Sequence, residues 1–232
     1  MEKPAAKNLF NHNAKTTPLI LVTLDDSALT RQPRFHDRPL FDVMMDTATE
    51  MAVQYQKQGI EVLGCIYRDG QSCFFNPLVA DHVALLRDGD GGSDLGVEDR
   101  FLAKATQRPM SVLRFTTPPD ILSLSDDDPS SEIADPMKNL FAANKRSTFD
   151  YVVFENGNIR PQKKAEALVK DVSDGFKGRA NMITLNEEIL VYGGSLSKRI
   201  GERIGDRLPA PVPAKPSGKR AVTGTHRRKL NS

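Results

Sequence analysis

Strand-like and helix-like segments alternate along most of residues 18–208, and this alternation limits the folds that the chain can adopt. The apolar run "PLILVTL" at 18–24 predicts a buried strand. Apolar residues then recur at helical spacing over 40–58. Because parallel strands need a long crossover between them, usually a helix, the repeated pattern predicts a mostly parallel sheet covered by helices on both faces.

One pair of strands interrupts this alternation. "IEVLGCIY" and "SCFFN" are joined by "RDGQ", and Asp69 followed by Gly70 is typical of a two-residue hairpin turn. In that register Ile66 faces Cys73, so Cys65 points to the opposite face of the sheet and we expect two free thiols. The predicted fold is therefore a three-layer, doubly wound α/β domain whose sheet has one antiparallel hairpin at its edge.

The later elements are less sharply patterned. Residues 110–125 contain two extended pieces on either side of Pro118 and Pro119, and we interpret the second, "DILSLS", as the more buried strand. Residues 126–148 predict an insertion with one short helix near "PMKNLFAANK". "FDYVVFENG" and "ANMITLNEEILVY" predict extended segments, "SLSKRIGERIGDRL" predicts a final helix, and Asp37 is the predicted N-cap of the helix at 40–58.

The two ends of the chain differ in composition from its middle. Residues 1–16 predict a flexible N-terminal arm, residues 17–208 the α/β domain, and residues 209–232 a disordered, Pro-rich basic tail. The tail carries six of the 32 basic residues and no acid: Lys215, Lys219, Arg220, Arg227, Arg228 and Lys229. Without those six, 26 basic residues face 30 acidic ones, a net charge of −4. Only the tail gives a reason to expect nucleic acid, and without an aromatic residue for base stacking its binding would be nonspecific.

The apolar segments are too short for a membrane protein. The longest apolar run, around 19–24, cannot span a bilayer, and "MEKPAAKNLFNHNAK" lacks the apolar region of a signal peptide. Two cysteines exclude a disulfide scaffold and a cysteine-rich zinc site. We therefore expect a soluble, cytoplasmic protein with no membrane partner.

Three polar loops are expected at the carboxyl edge of the predicted sheet, where ligands of open α/β sheets bind. Their oxygen-bearing residues are Asp25, Asp26 and Ser27 after the first strand, Ser93 in "GGSDLG", and Ser125, Asp126 and Asp127 in "LSLSDDDP". Hard oxygen atoms from several loops are what a magnesium ion takes in proteins. The sequence therefore predicts a Mg²⁺ site at this edge.

These motifs, in this order, resemble those of the von Willebrand factor type A domain, the fold built around a metal-ion-dependent adhesion site. That family ends its first strand in Asp-x-Ser-x-Ser, and "DDSAL" matches at Asp25 and Ser27. Its Gly-Gly-Thr-x-x-Gly loop is similar to "GGSDLG", with Ser93 in place of the threonine, and its Thr/Ser-Asp-Gly motif is similar to "LSLSDDDP" through Ser125 and Asp126. The resemblance spans roughly residues 18–208.

The resemblance implies a ligand set and also shows where the site is degenerate. It implies Asp25, Ser27, Ser93 and Asp126 as magnesium ligands, with Asp26 and Ser125 behind them as supporting residues. Leu29 stands where the family has its last serine, unless Thr30 is drawn in by a different turn, and Asp127 replaces the family's glycine.

The function that this resemblance implies is binding, without a bond made or broken. The chain would be a protein-interaction module and an accessory subunit of an intracellular assembly, and in bacterial members the partner is often an ATPase. One alternative is a nucleic-acid-associated accessory protein of a mobile element that uses the basic tail. A second is a Mg²⁺-dependent phosphoryl-transfer or phosphodiester enzyme built on the four aspartates. We rank the enzyme lower because no lysine or arginine is evident at those loops.

Overall fold

The structure, a computed structural model, describes residues 18–27, 30–68, 71–87, 109–117, 129–155 and 159–208. The strands in these ranges are β1 Leu19–Leu24, β2 Pro33–Phe35, β3 Arg38–Pro39, β4 Glu61–Arg68, β5 Gln71–Phe75, β6 Met110–Thr116, β7 Thr148–Phe154 and β8 Ala180–Leu185. The helices are α1 Leu40–Gln56, α2 Ala80–Arg87, α3 Pro129–Ala143, α4 Ile159–Gly175, α5 Glu188–Val191 and α6 Leu196–Ile204, and a 3₁₀ turn, Gly205–Arg207, follows α6. The predicted arm and tail lie outside the described residues.

Six of these strands form one sheet in the order β5-β4-β1-β6-β7-β8. Every neighbouring pair is parallel except β4 and β5, which form the predicted hairpin with Ile66 opposite Cys73. From β1 the chain adds β4 and β5 on one side and β6, β7 and β8 on the other. The order of the strands therefore reverses at β1, which creates a crevice at the carboxyl ends of β1 and β6. The mostly parallel sheet with an antiparallel edge pair confirms the predicted α/β architecture.

Helices cover both faces of the sheet, and the side chains of β1 show why its sequence is apolar except at Thr23. Ile20, Val22 and Leu24 pack in the cluster that contains α1 and α6, whereas Leu19 and Leu21 pack in the cluster that contains α3 and α4. A strand that is buried on both faces reads as a continuous apolar run. Burying each of these side chains contributes about 1.5–3 kcal/mol, so β1 is the centre of both halves of the core.

The strand next to β1 is not the segment that the sequence favoured. Met110–Thr116 forms β6 in the centre of the sheet, and all seven of its residues are buried. "DILSLS", which we interpreted as the more buried piece, lies outside the described residues. Arg114 and Ser111 interrupt the apolar pattern of β6 although both side chains are buried.

Three local predictions were wrong for reasons of backbone geometry. Asp37 is not the N-cap of α1, since Pro39 precedes the first helical residue. His36 and Asp37 have φ values of 53° and 58° and form the turn of a small hairpin between β2 and β3 that the sequence analysis missed. Residues 188–191, predicted to be extended, form the one-turn helix α5, and α3 has 15 residues where a short helix was expected.

No described helix has the length and apolarity that crossing a bilayer requires.

Candidate functional site

The site predicted from the sequence begins where β1 ends, at the carboxyl edge of the sheet. Asp25 and Asp26 are both buried, with 1% and 0% of their surface exposed. The Asp25 N–H donates to the Phe115 carbonyl of β6 at 3.0 Å, so the pairing of β1 with β6 extends one residue beyond the strand. Because side chains alternate along this extended backbone, Asp25 faces the α3–α4 layer and Asp26 faces α1.

The carboxylate of Asp26 is neutralised by Arg31. Asp26 Oδ1 accepts a hydrogen bond from Arg31 Nε at 2.6 Å and lies 2.5 Å from the terminal Nη2, and the guanidinium stacks on the Phe41 ring at 3.8 Å. The same guanidinium donates to the carbonyls of Leu86 and Arg87 at 3.0 and 2.7 Å. These carbonyls belong to the last turn of α2, where helical carbonyls have no partner within the helix. Arg31 therefore fixes the carboxyl end of α2 at the carboxyl edge of β1.

The loop between Asp25 and α1 closes into a tight turn. Ser27 N–H donates to Asp25 Oδ1 at 2.9 Å, and the buried Thr30 hydroxyl lies 2.8 Å from the Ser27 carbonyl and 3.1 Å from the Asp25 carbonyl. Phe41 N–H then donates to the Thr30 carbonyl at 2.8 Å. Thr30 is thus drawn into the Asp25 turn, which was the alternative that the sequence left open, and its hydroxyl is oriented towards main-chain oxygens.

A second set of ion pairs holds α2 against α1. Arg87 pairs with Asp42 and with Asp46, and Arg38 pairs with Asp46 at 2.5 Å. These side chains are partly solvent-exposed, so each pair stabilises the contact by at most about 1 kcal/mol. Together with Arg31 they set the position at which the chain leaves α2.

The end of β6 brings further polar groups to the same edge. Thr116 and Thr117 are buried at 0% and 1% exposure, and the register of Leu24 with Phe115 places Thr116 beside Asp25. Two residues earlier on the same face, the buried Arg114 guanidinium lies over the Phe149 ring at 5.4 Å and within 3.5 Å of the Tyr151 hydroxyl. The edge therefore combines one carboxylate on the α3–α4 side with neighbouring hydroxyl groups.

The structure brings two of the four predicted metal ligands together and describes neither of the others. Asp25 and Ser27 are joined by the hydrogen bond given above, whereas Ser93 and Asp126, with the supporting Ser125, lie outside the described residues. The described residues contain no cluster of three or more His, Cys, Asp or Glu side chains suited to a metal ion. Magnesium binding accordingly stays a prediction.

Arg31 is the residue that the sequence analysis missed. We ranked the enzyme alternative lower because no basic side chain was evident at the three loops, and that reason was wrong, since Arg31 lies at the edge. Its guanidinium is, however, already engaged by Asp26 and by two carbonyls of α2. The available signal was its position five residues after Asp26, in the same loop.

A third buried carboxylate lies away from this edge. Asp150 of β7 is fully buried on the α1 side, and its Oδ1 lies 2.5 Å from Nη1 of Arg207 in the 3₁₀ turn. Burial raises the pKa of Asp150 from 3.8 to about 6, and the Arg207 guanidinium opposes that rise. This pair attaches the end of the described chain to the sheet and is not part of the candidate site.

Comparison with known proteins adds information on the fold alone. No family model and no curated protein matches the chain. Among solved structures, the chain is similar to the PilB minor pilin from Streptococcus sanguinis, with a TM-score of 0.54, 11% identity, and coverage of 83% of this chain and 62% of the pilin. The D319A mutant of that pilin is similar at a TM-score of 0.53 and 11% identity, with coverage of 82% of this chain and 62% of the mutant pilin. A Clostridium thermocellum family 3 carbohydrate esterase, at a TM-score of 0.46, is too dissimilar to support an argument. The chain thus shares an α/β fold with the pilin and spans 62% of its length.

Proposed function

We propose that this protein is an interaction module of the von Willebrand factor type A kind and serves as an accessory subunit in an intracellular assembly. Its binding site would lie at the carboxyl edge of β1 and β6, and would depend on Mg²⁺. The proposal rests on the convergence of three parts of the chain at that edge.

The observation that carries the proposal is the hydrogen bonding of Arg31. Through this side chain, Asp26 of the first loop and the last two carbonyls of α2 share one guanidinium. The last described residue of α2, Arg87, therefore lies next to the Asp25 turn, and residues 88–108, which include Ser93, follow it in the sequence. Residues 118–128, which include Asp126, follow Thr117, next to the Asp25–Phe115 hydrogen bond. Ser93 is six positions after Arg87 and Asp126 is nine positions after Thr117, and our proposal places both side chains at this edge.

The donor chemistry at this edge fits a magnesium ion. Asp25 and Ser27 would supply a carboxylate and a hydroxyl, with Ser93 and Asp126 as the proposed remaining ligands, and all four are hard oxygen donors. Asp26 is bound by Arg31, which suits the supporting role that the sequence implied for it. A Mg²⁺ ion bound by these four side chains would keep coordination positions open for an oxygen atom from a partner.

An open coordination position on the ion favours a partner protein that presents a carboxylate. The resemblance implies an ATPase for bacterial members, and we propose the same class here. The enzyme alternative fits the described residues less well. Asp25 and Asp26 face opposite sides of the sheet, so they do not form a pair of carboxylates around one metal centre, and Arg31 is occupied by Asp26.

The metal site is tested by thermal unfolding with and without a divalent cation. Millimolar Mg²⁺ should raise the melting temperature of the wild type, because a ligand that binds only the folded state stabilises it. The Asp25→Asn variant should show no such rise. Asp37→Asn, which removes an exposed carboxylate from the β2–β3 turn, is the matched control and should behave like the wild type. Equal responses of the wild type and Asp25→Asn would refute the site.

The binding function is tested by capture of partners on the immobilised chain. A partner should be retained in Mg²⁺, released by a chelator, and absent when Asp25→Asn is immobilised instead. Retention that is indifferent to chelator and to Asp25→Asn would place the interaction elsewhere on the molecule. Divalent-dependent hydrolysis of a phosphodiester that is lost in Asp25→Asn would favour the enzyme.

A further inference from the structure

Helix α2 contributes little to the hydrophobic core. All eight of its residues are described, and none of them is buried. Val83 and Leu86 are partly buried against the cluster that contains α1, whereas Leu85 is 55% exposed. A helix of this length is not stable in water by itself, so the conformation of α2 depends on the contacts that hold its two ends.

The N-terminal end of α2 is held by a turn that follows β5. Pro77 is buried in this turn, and its carbonyl accepts a hydrogen bond from the Thr49 hydroxyl of α1 at 3.3 Å. Val79 N–H donates to the Asn76 carbonyl at 3.0 Å, and Leu78 N–H donates to the Asn76 side chain at 2.9 Å. Because proline also restricts φ, the turn at residues 76–79 is a defined pivot for the helix that follows it.

The C-terminal end of α2 is held by two arginines. Arg31 donates to the Leu86 and Arg87 carbonyls at 3.0 and 2.7 Å while it binds the buried Asp26 carboxylate. Arg87 adds its partly exposed ion pairs with α1, which contribute little. The Arg31 side chain is only 17% exposed, and hydrogen bonds from a charged donor are stronger than those between neutral groups. Arg31 is therefore the stronger of the two attachments.

We propose that Arg31 is the positioning residue of α2, and that α2 opens as a separate unit about the turn at residues 76–79 when the Arg31 contacts with its carbonyls break. The domain then has two states. In one, α2 is docked beside the Asp25 turn, and in the other it is released and loses its helical hydrogen bonds. Elements with few buried apolar contacts are those that open locally, at a lower free energy than global unfolding.

The state of α2 matters for the carboxyl edge because residues 88–108 follow Arg87 in the sequence. A ligand that needs Ser93 at this edge binds the docked state, and it therefore shifts the population towards that state. This consequence rests on the proposed function. The opening of α2 itself does not depend on metal binding and is measured without a metal ion, so the two proposals can fail separately.

The test is amide hydrogen exchange of the full chain in the absence of divalent cations. In the wild type, the protection factors of the α2 amides should be lower than those of α1 and β6 by about tenfold or more, because α2 opens without the rest of the domain. The double variant Asp26→Asn with Arg31→Met should lower the α2 protection factors by about a further tenfold, since two hydrogen bonds from a charged donor are lost. It should change those of α1 and β6 much less. Asp26 is replaced as well because its carboxylate, left buried without a cation, would destabilise the whole domain.

Two single variants separate the role of Arg31 from a general loss of stability. Arg31→Lys keeps a cation beside Asp26 but lacks the planar set of donors that reaches both α2 carbonyls, so it should also speed the exchange of α2. Arg179→Lys is the matched control. Arg179 likewise donates to carbonyls at helix ends and stacks on an aromatic ring, but those helices are α3 and α4. Arg179→Lys should therefore leave the exchange of α2 unchanged.

Three results would overturn the proposal. The first is wild-type α2 protection equal to that of α1 and β6, since α2 would then open only when the whole domain unfolds. The second is α2 exchange in the Arg31 variants that equals the exchange in the wild type. The third is an equal acceleration of α1, α2 and β6 in the double variant, which would make Arg31 a determinant of global stability alone.

Discussion

Replacing Asp150 by asparagine should change how the stability of the protein depends on pH. Asp150 is completely buried in β7, and its carboxylate lies 2.5 Å from the Arg207 guanidinium. Desolvation nevertheless outweighs the attraction of that cation, so burial raises the pKa of Asp150 from 3.8 to about 6. The folded protein therefore binds a proton on this carboxyl more tightly than the unfolded chain does.

The sign of the pH effect follows from proton binding. Between pH 3.8 and about 6 the folded state holds a proton on Asp150 that the unfolded state has released. The free energy of unfolding contributed by this group is therefore greatest below the unfolded pKa and falls as pH rises through the folded pKa. At about 1.4 kcal/mol for each pH unit between the two values, the loss is about 3 kcal/mol. Asparagine carries no charge at any of these pH values, so Asp150→Asn should not show this loss.

The assay is urea unfolding of the wild type and of Asp150→Asn at several pH values between about 4 and 7. Other titrating groups are common to both proteins and cancel in the difference. The stability of Asp150→Asn relative to the wild type should rise by about 2–3 kcal/mol from the acidic to the neutral end of this range. Asp135→Asn, at an exposed position in α3, should give a nearly constant difference. A constant or falling difference for Asp150→Asn would show that the Arg207 ion pair outweighs desolvation, and would refute the reasoning.

Three further substitutions test other parts of the fold by urea unfolding at neutral pH. Arg31→Met should destabilise the protein by about 3–5 kcal/mol, because it leaves the Asp26 carboxylate buried without its cation. If this is the cause, the double variant Arg31→Met with Asp26→Asn should lose less stability than Arg31→Met alone. An equal loss in the double variant would contradict it. Gly64→Ala should cost about 1–3 kcal/mol, since the new Cβ overlaps the Phe75 ring directly across the β4–β5 hairpin, and Phe75→Leu in the same chain should recover part of the loss. Arg179→Ala should cost about 2–3 kcal/mol, because the Arg179 guanidinium donates to carbonyls at the ends of α3 and α4 and stacks on the Phe141 ring. Arg179→Lys should recover little of this stability, and recovery of most of it would contradict the role of the planar guanidinium.

The parts of the fold that the sequence predicted are those in which local pattern and tertiary environment agree. β1 is buried on both faces, and five of its six residues are apolar, which is the pattern of such a strand. β4 and β5 are separated in the sequence by Asp69 and Gly70, a dipeptide that is typical of two-residue hairpin turns. In both cases the information lies within a few neighbouring residues, so one sequence is enough to read it.

The remaining elements depend on contacts that a local pattern does not contain. β6 carries Arg114 in its middle, and this charge is acceptable in the core because Phe149 and Tyr151 of β7 surround it. The β2–β3 hairpin has no apolar alternation, and α5 is a single turn ended by Gly193. β6, the β2–β3 hairpin and α5 each depend on a packing partner or a backbone geometry that cannot be predicted from the local sequence pattern.

The same distinction separates the predicted part of the candidate site from the missed part. Asp25 and Ser27 follow a recognisable strand, so their position at the edge of the sheet was predictable. The role of Arg31 depends on the end of α2, about 55 residues further along the chain. Only the folded arrangement brings that helix end to Asp26.

Because side chains alternate between the two faces of a strand, the opposite orientations of Asp25 and Asp26 depend on whether the number of residues in β1 changes by an odd or an even number. Inserting or deleting one residue of β1 would exchange the faces of the two side chains. Asp26 would then point away from Arg31, and Asp25 would point towards α1. An insertion of two residues would preserve both orientations and disturb only the height of the pair above the sheet. We therefore expect the strand to tolerate even changes in its residue count much better than odd ones.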